Sequence, residues 1–214
     1  MPVSHEHQCI FVHIPKTGGS SVEHLLGVFR DWRNEDRDCL FGLIQSPDIL
    51  KKQWVTRFLQ HLSIHEIAEL LSSYCLNQYF SFSWVRNPWD RMVSIYSNKD
   101  PDMLAMAANL GLDLTKLGFS DFVDQTRDLF HVHLLDQSRF ITDKDDRIAV
   151  NFVGRFERYT QDMNFVCSKL GIISKIPHMN ISTRGNYRDY YNDHTIAEIS
   201  KRYEIDIDLF GYTF

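Results

Sequence analysis

The residues near the N-terminus that are best suited to chemistry form a glycine loop, PKTGGSS, at positions 15–21. The loop follows an apolar segment, 8–14, that is typical of a buried strand, and it precedes apolar residues at helical spacing. Two adjacent glycines allow a tight turn and a close approach of a ligand to the backbone. Helix-start amides, a lysine charge and hydroxyls together predict an anion site. Its expected members are Lys16, Thr17, Gly18, Gly19, Ser20 and Ser21.

The alternative for this loop is an ordinary glycine-containing turn that joins a strand to a helix. An ATP- or GTP-binding loop is disfavoured, because that motif places its lysine after the glycines and Lys16 precedes Gly18 and Gly19. The second predicted strand also ends in Arg86, where such a protein carries the aspartate that holds magnesium.

A second candidate anion site lies where the aromatic-rich predicted strand 79–85 ends. Arg86 follows this strand, and Asn87 is a suitable N-cap for the next helix. Ligands of open α/β sheets bind outside the carboxyl ends of the strands, so Arg86 should lie on the same side as Lys16. Arg86 and Ser94, in the second turn of the helix, could converge on one phosphate. Pairing of Arg86 with a carboxylate is the structural alternative.

Strands alternate with helices along the chain, which predicts an α/β fold with a central, mainly parallel sheet flanked by helices. No linker or repeat interrupts the pattern, so we expect residues 1–214 to form a single domain. Further predicted elements are a helix opened by the capping box of Ser63 and Glu66, a helix capped by Ser120, a strand at 148–153, a helix over 160–170 that ends at Gly171, and a helix over 193–203.

Composition excludes several classes of protein. The net charge of −5 argues against general nucleic-acid binding, which requires a basic face. Every apolar stretch is too short to cross a bilayer, and the N-terminus has no basic segment followed by an apolar run, so we expect neither a membrane span nor a secretory signal. The four cysteines lack metal-binding spacing, and a reducing, cytoplasmic location fits them best.

The two candidate anion sites together resemble the sulfotransferase superfamily. PKTGGSS is similar to its 5′-phosphosulfate loop, and RNPWDRMVSIYS at 86–97 is similar to its 3′-phosphate element, an arginine followed eight residues later by a serine. The segments VGRFERY (153–159), HMNIS (178–182) and RGNYRDYY (184–191) resemble carbohydrate-type and bacterial members. The resemblance extends from Phe11 to Phe214.

This resemblance implies a P-loop-like sulfotransferase fold that binds 3′-phosphoadenosine 5′-phosphosulfate (PAPS) and releases PAP. Lys16 would contact the sulfate and the bridging oxygen, and Arg86 and Ser94 would hold the 3′-phosphate. The sulfuryl group would move to a hydroxyl of a carbohydrate or small metabolite. No metal is expected, because the group carries less charge than a phosphoryl group and a lysine can replace the ion. A second wall of the nucleotide site would be formed by Arg184, Tyr187 and Arg188.

A hydroxyl acceptor must lose its proton, and histidine is the favoured base near neutral pH. His61 is our candidate, since it lies in a predicted loop two residues before Ser63, and carbohydrate-type members resemble this arrangement. An ordinary histidine pKa predicts a rate that falls below about pH 6.5. The other histidines considered are His65 as the second candidate, His13 as strand core, and the H-x-H pair His131 and His133, for which no third metal ligand is visible.

Two further functions remain open at this point. A small-molecule kinase on a phosphate-loop fold would require magnesium and ATP, and a non-catalytic nucleotide-binding module would keep Lys16, Arg86 and Ser94 without a base. The sequence also leaves the oligomeric state open, a homodimer included.

Overall fold

The computed structural model describes residues 3–27, 31–52, 54, 56–173 and 185–214. The chain divides into two compact units, the first formed by Met1–Val85 and Gln137–Ile181 and the second by Arg86–Asp136 and Ser182–Phe214. In chain order the helices and strands are β1 (Val3–Ser4), β2 (Cys9–Val12), α1 (Gly19–Leu25), α2 (Pro47–Leu50), α3 (Ile64–Leu70), α4 (Ser73–Gln78), β3 (Phe80–Val85), α5 (Pro88–Asn98), α6 (Pro101–Asn109), α7 (Phe119–Gln125), α8 (Ser138–Ile141), β4 (Phe152–Arg155), α9 (Tyr159–Leu170), α10 (Asp193–Arg202) and α11 (Glu204–Phe210).

A four-stranded sheet lies in the first unit, in the order β1-β2-β3-β4. The strands β2, β3 and β4 are parallel, with Phe11 opposite Phe82 and Phe82 opposite Phe152, and the short β1 pairs antiparallel with β2. Parallel strands end at the same edge of a sheet, so the segments that follow β2 and β4 leave from one side. The predicted α/β class with a mainly parallel sheet is confirmed.

The hydrophobic core of the first unit surrounds this sheet. The residues of β2 and most of β3 are buried, as expected for parallel strands covered on both faces. Side chains of α1 and α9 complete the cluster, which contains Cys9, Phe11, Val22, Leu26, Phe41, Phe82, Trp84, Met163, Val166 and Cys167. The strand that leads into the glycine loop is therefore anchored on all sides by apolar packing.

Local signals fixed several element ends, and two predictions of this kind were wrong. The capping box of Ser63 opens α3, and Gly171 ends α9 with a left-handed φ of 66°. Ser120 does not cap α7, which begins at Phe119 because that ring is buried and packs against other aromatic rings. The fourth strand begins at residue 152 and not at 148, since Ile148 instead forms an isolated bridge with Thr142.

The second unit is helical in the part of the chain that the structure describes. The guanidinium of Arg91 is buried inside it and donates to the carbonyls of Leu135 (2.8 Å) and His133 (3.0 Å). The hydroxyl of Tyr203 donates to the carbonyl of Leu134 at 3.0 Å. These bonds join α5 and the end of α10 to the segment before α8. Within the described ranges, none of the helices is both long enough and apolar enough to cross a membrane.

Candidate active site

The lysine loop, residues 13–18, connects the end of β2 to the start of α1. Lys16 lies in the left-handed region with φ 71°, and Gly18 follows with φ 92°. A left-handed conformation costs a residue other than glycine about 1–3 kcal/mol, and such strain is concentrated at functional sites. The loop therefore has strained backbone at Lys16, whose side chain is half-buried.

Both glycines of the loop motif lie against aromatic side chains. A Cβ at Gly18 would lie 3.0 Å from Cε2 of Tyr159, whose hydroxyl donates to the Gly18 carbonyl at 2.9 Å. A Cβ at Gly19 would come within 2.1 Å of Cδ2 of the buried His13 ring. The left-handed backbone therefore favours glycine at position 18, and lack of space requires it at position 19.

The three hydroxyl groups of the motif differ in their surroundings. Thr17 is fully buried and donates to the Ile14 carbonyl at 2.8 Å, so its hydroxyl hydrogen stabilises the loop itself. Ser21 is buried and Ser20 is half-buried, both in the first turn of α1. Gly18 occupies the N-cap position, where it offers no side-chain cap to the helix amides. This end of α1 can therefore receive an external acceptor.

His61 lies beside the lysine loop, at the end of a short 3-10 helix, Leu59–His61. Its Nδ1 is 3.1 Å from the main-chain oxygen of His13, and the two imidazole rings meet edge to face at 4.6 Å. The candidate base and the candidate sulfate-binding loop therefore belong to one unit, although 45 positions separate His61 from Lys16 in the sequence.

The protonation state of His61 follows from its surroundings. Removal of its ring from water lowers the pKa of His61 from 6.5 to about 3, and the charge of nearby His13 acts in the same direction. The ring is thus neutral near pH 7. Because a carbonyl can only accept, Nδ1 carries the hydrogen and Nε2 carries the lone pair. The rate inflection expected near pH 6.5 for an unperturbed histidine therefore moves to lower pH in the free protein.

The other candidate histidines lie elsewhere. His65 is exposed on α3. His131 is buried in the second unit, where its Nδ1 accepts from the backbone N–H of His133. Across the residues that the structure places, no group of three or more histidine, cysteine or acidic side chains could hold a metal ion.

Arg86 begins the second unit and is buried to all but 6% of its surface. Its Nε donates to Oδ2 of Asp90 at 2.7 Å, so the carboxylate pairing considered from the sequence is present. Asn87 is the N-cap of α5 and accepts from the backbone N–H of Trp89 at 3.0 Å. Ser94 is half-buried on α5 and, four residues after Asp90, lies on the same helix face.

The predicted second wall of the nucleotide site also belongs to the second unit. The Arg188 guanidinium lies 4.7 Å from the ring centre of Tyr187 and 5.4 Å from that of Phe214. The hydroxyl of Tyr191 donates to the Trp89 carbonyl at 2.8 Å, which fixes this segment against α5. Arg184, the third predicted member, lies outside the described residues.

Sequence reasoning did not assign four residues that shape the lysine loop. They are His13, Glu23, Phe156 and Tyr159. Phe156 and Tyr159 belong to the segment VGRFERY, which the sequence analysis noted for its resemblance to family members and to which it gave no role in the site. His13 and Glu23 are ten positions apart, and only the turn of the loop brings them together.

Comparison with known proteins shows the family of the chain. The sequence profile of the sulfotransferase family matches residues 1–213. A curated relative, carbohydrate sulfotransferase 14 of Danio rerio, is 22% identical over 240 aligned residues, which cover 98% of this chain and 61% of the relative. The chain thus spans about three fifths of that protein's length. No solved structure matches significantly. With a match over nearly its whole length, this chain belongs to the sulfotransferase family.

Proposed function

We propose that this protein transfers a sulfuryl group from PAPS to a hydroxyl group, on a carbohydrate or a small metabolite, and releases PAP. The observation that carries the proposal is the 3.1 Å contact between Nδ1 of His61 and the carbonyl of His13, the first residue of the lysine loop. It brings a neutral imidazole to the loop that presents Lys16. A cation for the leaving group and a base for the acceptor are the two groups that sulfuryl transfer requires.

The proposed sulfuryl donor is a doubly anionic nucleotide. Lys16 is presented by a strained loop before a helix that has no side-chain cap, which suits the phosphosulfate end. Arg86, with Ser94 on the following helix, suits a phosphate at the other end of the nucleotide, because guanidinium binds phosphate bidentately. Tyr187 and Arg188 are the proposed wall beside the nucleotide.

The chemistry divides between two side chains. Nε2 of His61 accepts the proton of the acceptor hydroxyl while that oxygen bonds to sulfur. The bond from sulfur to the bridging oxygen breaks, and its electron pair leaves with PAP. Lys16 stabilises the negative charge that builds on the bridging oxygen. A lysine in this role allows the reaction to proceed without a metal ion, which we propose for this chain.

The acceptor is proposed by analogy with a relative. The relative that matches is named for a carbohydrate substrate, so a glycan hydroxyl is our first choice and a small metabolite the second. The cytoplasmic location expected from the cysteines stays a prediction, and so does the single-domain organisation.

The deciding experiment supplies radiolabelled PAPS and a panel of oligosaccharides and alcohol metabolites, and follows label in the product. We expect labelled product without added magnesium, and stabilisation of the protein by PAP that follows RT ln(1 + [L]/Kd). Stabilisation by ATP with magnesium, and not by PAP, would favour the kinase alternative. Stabilisation by PAP without product from any acceptor would favour a binding module.

A further inference from the structure

Two buried titratable side chains, one at the start of the lysine loop and one on α1, have no part in the reaction described above. His13 is 7% exposed and Glu23 is 3% exposed, and Nδ1 of His13 lies 2.7 Å from Oε1 of Glu23. Such a bond between a histidine and a carboxylate, removed from water, is strong only when both partners are held in place. It connects the residue that follows β2 directly to helix α1.

The ring of His13 is held on several sides. Phe11 stacks against it with ring centres 5.4 Å apart, and the α-carbon of Gly19 leaves no room for a methyl group beside Cδ2. Glu23 fixes the remaining freedom, because its carboxylate accepts from Nδ1 and so selects the ring orientation. These contacts together restrict the His13 ring to one orientation.

Glu23 is ionised in this arrangement. Burial alone would raise the pKa of Glu23, but nearby positive charge and hydrogen bonds, to which His13 contributes, outweigh it, and the pKa is lowered. An ionised carboxylate can only accept hydrogen bonds, so Nδ1 of His13 carries the donated hydrogen.

His13 in turn makes two contacts with His61. Its carbonyl accepts from Nδ1 of His61 at 3.1 Å, and its ring edge meets the His61 ring at 4.6 Å with an angle of 62° between the planes. The first contact selects the tautomer of His61, and the second limits the rotation of its ring. A continuous series of contacts thus runs from Glu23 through His13 to His61.

We propose that Glu23 and His13 are positioning residues that fix the orientation of the proton-accepting Nε2 of His61. The proposal rests on the proposed role of His61 as the base. Neither residue touches the reacting atoms. Their effect on the rate arises because a general base must be aligned with the hydroxyl proton, and a small misplacement of such a group is costly.

The experiment compares Glu23→Ala and Glu23→Gln with the matched control Glu69→Gln, which changes an exposed glutamate on α3. Glu23→Ala should lower kcat by about 10- to 100-fold, with the KM for PAPS within about two-fold of wild type. Glu23→Gln should recover most of the loss, since its amide oxygen still accepts from Nδ1 of His13. Glu69→Gln should change neither constant.

A double-mutant cycle separates positioning from a general structural effect. If Glu23 acts through His61, adding Glu23→Ala to His61→Ala should leave kcat within about two-fold of His61→Ala alone. An equal loss in both backgrounds would overturn the proposal, as would a raised KM for PAPS with unchanged kcat. A wild-type kcat in His61→Ala alone identifies a failure of the base assignment itself.

A measurement on the unmodified protein covers the case in which Glu23→Ala does not fold. Side-chain nitrogen NMR near pH 7 should show His61 as the neutral Nδ1–H tautomer and His13 with hydrogen on Nδ1. In Glu23→Gln the ring signals of His61 should move, and in Glu69→Gln they should stay. An Nε2–H tautomer of His61 in wild type contradicts the proposal.

Discussion

The lysine loop and the arginine turn, residues 86–94, both follow strands of the sheet in sequence, yet they are stabilised differently. The lysine loop has strained backbone at Lys16, a buried threonine bonded to the loop and a buried pair of His13 and Glu23. The contacts of the arginine turn among the described residues are a helix start capped by Asn87, a bond from the Asn87 amide to the Thr213 carbonyl, and an ion pair between Arg86 and Asp90.

The difference matches two roles that side chains have in an enzyme, which are catalysis and substrate binding. Groups that act on the reacting atoms must be held closely, because their contribution depends on geometry in the transition state. Groups that hold a distant phosphate contribute mainly affinity, which charge and bidentate bonding supply with less constraint. We therefore expect substitutions in and around the lysine loop to lower kcat, and those in the arginine turn to raise the KM for PAPS.

The largest effect should come from His61→Ala. Loss of a general base lowers kcat by about 10²- to 10⁴-fold. PAP affinity, measured by calorimetry, should stay the same, since the proposed role of the ring is to take the acceptor proton and not to bind PAP. His194→Ala, which removes an exposed histidine of the second unit, is the control and should turn over normally. A near wild-type rate for His61→Ala would assign the base elsewhere, with His65 tested next.

Lys16→Ala should follow, with a loss of about 10²- to 10³-fold in kcat, the range found when one charge-stabilising donor is removed. The loss is expected because the negative charge on the bridging oxygen is no longer stabilised. The kcat is measured by steady-state kinetics at saturating PAPS. Lys116→Ala, at an exposed position, is the control for the loss of one positive charge. Normal turnover in Lys16→Ala would remove the lysine loop from the chemistry.

Arg86→Ala should have a smaller effect of a different kind. Loss of charge-assisted hydrogen bonds worth about 1.5–3 kcal/mol weakens PAP binding by about 10- to 100-fold. The KM for PAPS rises, and kcat at saturation changes by less than about three-fold. Calorimetry with PAP supplies the affinity, and Arg147→Ala at an exposed ion pair serves as the comparison. An unchanged PAP affinity would mean that Arg86 serves only Asp90.

The smallest effect is expected in the pH profile near neutrality. Protonated His61 cannot accept a proton, so the rate falls as pH drops through its pKa, which is about 3 in the free protein. A bound anionic donor favours the imidazolium and raises that pKa. The acidic inflection of kcat should therefore lie at higher pH than that of kcat/KM. Coinciding inflections near pH 6.5 would contradict the lowered pKa of His61.

The main strands and several helix ends could be predicted from the sequence, because the signals that specify them are local. Strand-like apolar runs, the Ser63 capping box and the Gly171 terminus each act within a few residues, and the structure has all three features. The α7 start was missed because burial of Phe119, a tertiary effect, outweighed the capping preference of Ser120. The antiparallel β1 was also missed, since two residues give no periodic pattern.

The site was predictable to the extent that residues adjacent in sequence form it. The loop motif made Lys16 and its neighbours candidates, and the position before α3 did the same for His61. The bond of His13 to Glu23 and the packing of Tyr159 under Gly18 join residues 10 and 141 positions apart. No local pattern encodes such contacts, so the supports of the loop became visible only in three dimensions.

The most direct test of the account is the rate of sulfated-product formation at saturating PAPS, measured side by side for Lys16→Ala and Arg86→Ala. We predict that excess PAPS restores Arg86→Ala to a rate close to that of wild type and leaves Lys16→Ala slow. Full restoration of Lys16→Ala by excess PAPS would contradict the assignment of chemistry to the lysine loop and of affinity to the arginine turn.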